Sequence, residues 1–325
     1  MTLPYLLRLL CLCFACFFLL HLAIGAAVSL LVPAVLHRAE RMRPRHATRV
    51  LLGVRLLPPV ISAFVVLGLC APSYLLLEPA ATNEEVGWAC LSAALLCAAS
   101  FVLSIYRGWS AGRRSIGYVR YCQLVGRQER LPGENTPVWV IEGSAPFLVL
   151  AGILKPRLII SRPVVNALPS GQLAAALRHE EAHRVSRDNF KRLLLVLTPD
   201  LFPAWRGFVR LEKEWNRFTE WAADDDAVAG DSQRSISLAS ALVRVARMGA
   251  CPQTAPLVTS LLADNQDLAE RVERLLREAP EAEVAERQPL PALIGGLASI
   301  AVLAVLTLQP ATLSAVHRLL EGLTR

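Results

Sequence analysis

His179-Glu180-Glu181-Ala182-His183 is where this sequence first shows chemistry. Successive residues of an α-helix are about 100° apart, so histidines four positions apart share one face, about a turn from each other. Two imidazoles so placed can bind one metal ion, and Glu180, beside that face, can reach a water held there. This is the HExxH zinc pattern. Zinc lowers the pKa of water toward ~7 and polarises a carbonyl, while the glutamate takes the proton as general base and passes it to the leaving amine. The reaction is peptide-bond hydrolysis. The bland alternative is a solvated charged helix, since Arg178 to Arg184 is rich in charge. Of the six histidines, His179 and His183 are the only two between residues 107 and 289, which favours a metal over scatter.

Catalytic zinc usually takes three protein ligands and keeps a fourth position open. No further histidine lies in that segment, so the third ligand must be a carboxylate or a thiolate. Glu220, in Phe218-Thr219-Glu220-Trp221-Ala222-Ala223-Asp224, is the leading candidate, with Glu214 and Asp188 as competitors. Asp224, four residues on, shares a helix face with Glu220 and can accept a hydrogen bond from a ligating imidazole. An oxyanion also wants a donor. Tyr118, Tyr121 and several arginines are available, and spacing does not choose among them.

These residues must be positioned by an unusually apolar chain. The 325 residues are 54% hydrophobic and 19% charged, against about 45–50% and about 25% in an ordinary soluble domain. The excess falls in four blocks: Leu9–Leu36, Leu56–Leu77, Val86–Tyr106 and Pro289–Val316. Each exceeds the roughly 20 apolar residues that cross a bilayer core. Ala23-Ile24-Gly25 loosely resembles a signal-peptide cleavage site. The first block, however, is about twice the length of a signal h-region, and it reads as a span. Residues 37–55 form a basic loop with six arginines and one glutamate, whereas Glu78 to Glu85 holds three glutamates and no base. The positive-inside rule puts the first loop in the cytoplasm and the second outside. Both termini are then extracytoplasmic, with a fourth membrane helix at about 290–310 and a short tail at 311–325. Arginine outnumbers lysine 31 to 3, a weak pointer to a GC-rich bacterium and so to a bacterial inner membrane.

Residues 107–289 then form one cytoplasmic domain of ordinary size. Strands are expected at Val138–Glu142, Phe147–Leu150 and Arg157–Ser161, and helices at Gly171–Ser186 with Ser170 as cap, Phe208–Val228 and Asp267–Arg277. Arg107–Pro137 and Glu278–Pro289 read as connectors. The net charge of +7 is mostly the arginine of the membrane loops. No basic face with interleaved aromatics appears, so nucleic-acid binding is not expected. Six of eight cysteines lie in apolar blocks and read as buried thiols.

Leu177-Arg178-His179-Glu180-Glu181-Ala182-His183, Arg187-Asp188 and Glu220-x-x-x-Asp224 resemble the BlaR/MecR-type membrane metallopeptidases. Ser144-Ala145-Pro146-Phe147 with Gly152 and Pro156, and Leu268-Ala269-Glu270-Arg271-Val272, add to that resemblance, as do three spans before the domain and one after. It implies zinc on His179, His183 and Glu220, with Glu180 as base. It also implies regulated cleavage of a cytoplasmic protein, typically a transcriptional repressor, or self-cleavage. The family's beta-lactam sensors carry a large penicillin-binding domain after the last span. This sequence stops about ten residues past that span, so beta-lactam sensing is not expected of it. The expected fold is thus a four-span α-helical membrane protein with an inserted α+β zincin-like domain, mostly helical with a small sheet. Its expected partners are the bilayer and a cytoplasmic protein; the sequence does not set the oligomeric state. Two alternatives stand beside this. An HtpX-like quality-control protease typically has two spans before the motif and two after, with Leu193–Leu201 as a candidate membrane-associated hairpin. A non-enzymatic scaffold would need a fourth ligand on structural zinc, such as Cys122 or Cys251.

Overall fold

A computed structural model describes residues 4–78, 86–130, 137–143, 145–200, 206–249, 258–260, 268–277, 313–316 and 318. The chain is mostly helical, with one small mixed sheet. Among the described residues, three helical rods are long and apolar enough to cross a membrane. The first is α1 (Tyr5–Ala39). The second joins α2 (Pro44–Val65) to α3 (Ala71–Leu77) through a single π-helical turn, Val66–Cys70. The third is α4 (Trp88–Val125). Their inner faces meet around Leu12, Cys16, Phe17, Cys70, Cys90 and Cys97, so the thiols serve as small apolar side chains. Their outer faces are apolar too: Leu67 is 71% exposed and Val102 68%. A helix apolar all round belongs in lipid or in a large core, and these faces suggest membrane association.

The rods measure 35, 34 and 38 residues. At 1.5 Å per residue each is over 50 Å long, against the ~30 Å of a hydrocarbon core. The surplus corrects two expectations. Residues 37–55 are not an open loop: only the turn at Glu40–Arg43 is non-helical, and Pro44 opens α2 at a position that needs no N–H. Arg107–Pro137 is not a mere connector either, because α4 continues to Val125. Ala111, Ser115, Tyr118, Val119 and Cys122 form a helical stripe along it, which the interspersed arginines and glycines disguise in the sequence. That stripe's lower part, Tyr118 to Cys122, packs on the sheet with Ile141, Val149, Ala151 and Ile159.

The sheet holds β1 (Arg127–Glu129), β2 (Val138–Ile141), β3 (Leu148–Ala151), β4 (Arg157–Ser161) and β5 (Val258–Ser260), in the order β1-β2-β4-β3-β5. The β2–β4 pair is parallel and the rest antiparallel. β2, β3 and β4 stand where the sequence reading puts strands; β1 and β5 were not expected. β1 is charged, with Glu129 tied to Arg162, and short polar strands carry little sequence signal.

Among the described residues, seven helices share the domain with the sheet: α5 (Arg162–Ala167), α6 (Ser170–Ser186), α7 (Asp188–Leu197), α8 (Arg206–Val228), α9 (Ser232–Arg247), α10 (Leu268–Leu276) and the lower half of α4. α6 and α9 cover the sheet face opposite α4, burying Val140, Leu148, Ile160, Leu177, Leu238 and Leu242. Ser170 lies inside α6 rather than capping it by a side-chain bond; Pro169 holds the cap position. Of the apolar block Pro289–Val316, residues 289–312 lie outside the described residues. Near its end the Leu313 carbonyl accepts a 2.8 Å hydrogen bond from Ser73 Oγ, and Val316 packs against the three-helix core.

Candidate metal centre

α6 presents His179, Glu180 and His183 on its buried side, all with no solvent exposure. It ends at Arg187, whose φ of 55° is left-handed, and the chain turns at once into α7. That elbow brings Asp188 Oδ2 to 2.8 Å from His183 Nδ1. Lys191 donates to the other Asp188 oxygen at 2.7 Å. α8 crosses α6 and brings Glu220 to the same point. Asp224, one turn on, stands 2.9 Å from His179 Nδ1.

Each imidazole therefore has a carboxylate close to Nδ1, in a hydrogen bond at His183 and as an ion-pair contact alone at His179. An Nδ1–H that donates to a carboxylate leaves Nε2 as the lone-pair nitrogen, the tautomer that a metal requires. The two Nε2 atoms lie 3.2 Å apart. Glu220 Oε2 is 3.4 Å from the first, and Oε1 is 3.7 Å from the second. Zinc–ligand bonds of ~2.0–2.1 Å in a tetrahedron put donor atoms ~3.3–3.4 Å apart. The spacing of this trio fits one ion, and His179, His183 and Glu220 form a buried group that could hold a metal.

Charge points the same way. Burial works against the charged form of His183, yet Glu220 and Asp188 outweigh it and push the imidazole up to about 10. His179 is likewise raised, with Asp224 and Glu220 overcoming burial. Glu220 goes the other way: burial opposes its charge, but His183, His179 and Arg271 hold it well below the usual carboxylate range. This site draws positive charge onto the nitrogens where a metal would bind.

Glu180 differs from these. Burial pushes it up to about 7, partly countered by the two imidazoles. Among the described residues, neither of its carboxylate oxygens has a hydrogen-bond partner. A buried carboxylate without partners is costly, and it stands one residue from a candidate ligand.

Other expectations change. Asp188 does not join the group that could hold a metal; it pairs with His183 Nδ1. Glu214 pairs with Arg217 at 2.8 Å instead of joining the site. Tyr118 packs on the far face of the sheet and Tyr121 is 62% exposed, so neither serves an oxyanion here. Cys122 is buried on that same far face, away from the ligands; Cys251 lies outside the described residues.

Arg271 is the residue that sequence reasoning missed. It is 3% exposed and donates to both Asp224 oxygens, at 2.9 and 2.7 Å, and it stands 3.3 Å from Glu220 Oε2. Burial pushes Asp224 up, but Arg271 and His179 prevail and hold it near about 2. A signal existed: Leu268, Arg271, Val272 and Leu275 fall at i, i+3, i+4 and i+7, so the arginine lies on the apolar face of α10. Leu276, next to Leu275, is 59% exposed. Comparison of the chain with protein-family models gives no match, and comparison with curated proteins gives none.

Proposed function

We propose that this protein is a membrane-anchored zinc metalloendopeptidase. The observation that carries the reading is the convergence of both Nε2 atoms and Glu220, with each Nδ1 backed by its own carboxylate and Glu180 buried beside them. His179, His183 and Glu220 would hold the ion. Two imidazoles and one carboxylate are a donor set of catalytic zinc, and a site of three protein ligands leaves room for substrate. Zinc, when bound, supplies polarisation of the scissile carbonyl and lowers the pKa of water toward ~7.

The chain's own residues do the rest. Glu180 takes the proton of the attacking water and delivers it to the leaving amine. Asp224 and Asp188 fix the two rings, and Arg271 fixes Asp224 and Glu220. Beside α6 the sheet ends in β5, a short extended segment that pairs with β3 in antiparallel register. Strand addition is a common way to seat a peptide backbone, and it fits a protein substrate, including this chain itself.

The stretch around the α1–α2 turn packs against α8, so the basic residues 37–55 and the metal site share one side of the bundle. By the positive-inside rule that side is the cytoplasm, which puts both termini outside and the fourth span at about 290–310. Three apolar rods before the site favour the BlaR/MecR-like layout, with a repressor-type substrate or self-cleavage, over the HtpX-like one. A structural-zinc scaffold lacks a fourth protein ligand among the described residues. The test is a comparison of protein termini in cells carrying wild type or Glu180→Ala. New termini on a cytoplasmic protein, or within this chain, should vanish in the variant. Identical termini in the two strains would overturn the peptidase reading.

A further inference from the structure

α8 runs through two hydrophobic cores. Leu211, Trp215 and Phe218 pack with Val32, Leu36, Ala39, Ala47 and Leu51 of α1 and α2. Ala227 and Val228, at its other end, pack with α6 and α9 under the sheet. Glu220 lies at the seam. α6, with both histidines, packs on α7, α8, α9 and the sheet, and has no comparable interface with the three rods. The membrane bundle therefore packs directly on the helix that carries Glu220, and reaches the histidine arm only indirectly, through α7.

The grip is charged. Arg55 of α2 is 2% exposed. It donates to Glu212 Oε1 of α8 at 2.6 Å and to Asp200 Oδ1, just beyond α7, at 2.5 Å. Its guanidinium lies 4.8 Å from the centre of the Phe208 ring. Arg107 of α4 stands 3.6 Å from the second Asp200 oxygen. Gly207, near the start of α8, closes so tightly on Ser29 of α1 that a Cβ there would collide with it. Glu212 and Glu220 are eight residues apart on one helix, about 12 Å along its axis.

We propose that the bundle regulates the metal site through this tie. A shift of α2 against α8, passed on at Arg55, moves Glu220 relative to His179 and His183, and so switches the ligand set between complete and incomplete. Coupling of this kind needs a rigid element whose two ends belong to different bodies, and α8 is that element. Arg55 is a positioning residue, and the proposal rests on the metal-site reading above.

The test uses the full-length protein in nanodiscs, stripped of metal and titrated with Co(II), with the visible spectrum and chelator competition as readouts. Arg55→Met should weaken Co(II) binding about tenfold and shift its absorption bands. Arg55→Lys should recover part of that loss. Glu212→Gln, a milder change at a half-exposed residue, should move both readouts the same way by less, and it decides the matter if Arg55→Met does not fold. Folded variants with wild-type spectrum and affinity would overturn the tie while leaving the metal site intact. Wild-type protein that binds no Co(II) would overturn the metal reading beneath it.

Discussion

Two clusters of charge, each with a buried member, lie along α8, and they differ in how they are satisfied. At Arg55, two cations meet two carboxylates, and both hydrogen bonds of the central guanidinium are short. At the seam with α6, the ionic neighbours of Glu220 stand at 3.3–3.7 Å, and its oxygens make no hydrogen bond among the described residues. Glu180 beside it has no partner for either oxygen. Unpaired buried polar groups cost ~1–3 kcal/mol each, and more when charged. The first cluster completes itself from the chain's own atoms. The second holds its donors apart at the spacing of a metal's ligands. The first needs nothing from outside the chain, whereas the second is arranged as a group that could hold a metal ion.

Substitutions can break that contrast. The largest effect should come from His183→Ala, which removes a ligand: zinc content should fall from about one per chain to near zero by elemental analysis. Wild-type zinc content in that variant would sink the assignment. Arg271→Ala comes next, because it leaves Asp224 and Glu220 buried without their counter-ion. Losing one partner of a buried pair costs about 3–5 kcal/mol, so the variant should unfold at clearly lower temperature and bind zinc 10- to 100-fold more weakly. Loss of stability with unchanged zinc affinity would make Arg271 purely structural. Asp188→Asn should keep the fold and weaken zinc about tenfold, read by chelator competition; no change would remove Asp188 from the ring-orienting role.

The subtlest effect is on pH. In the metal-free protein His183 titrates near about 10, so between pH 6 and 8 its ring carries a proton that the metal must displace. Raising the pH removes that competitor. Zinc affinity should therefore climb as pH rises, up to tenfold per unit for each proton displaced, and the slope should be shallower in Asp188→Asn. A flat profile in wild type would mean that the rings are already neutral.

The candidate ligands were legible in the sequence because their spacing is local. His179 and His183 are one helical turn apart, and Glu220 and Asp224 are another such pair. The spacing puts Arg271 on the apolar face of α10, but its contacts depend on how α10 packs on α9 and so reaches α8, which no local spacing encodes. Asp188 was legible only as a weaker competitor for the third ligand position, since its place beside His183 Nδ1 depends on a left-handed residue at Arg187 that a non-glycine side chain does not advertise. The membrane blocks were legible as apolar runs, yet their ends were not. Val32 and Leu36 read as lipid-facing, but they pack against Leu211 and Trp215. A hydrophobic run does not say whether its partner is lipid or protein.

The central claim is that two imidazoles and one carboxylate hold zinc at this seam. X-ray absorption at the zinc edge on the purified full-length protein tests it most directly. It should show two nitrogen ligands at ~2.0–2.1 Å with oxygen at ~2.0–2.2 Å, in a site of four or five ligands. Sulfur at ~2.3 Å, or a protein that carries no zinc, would contradict it.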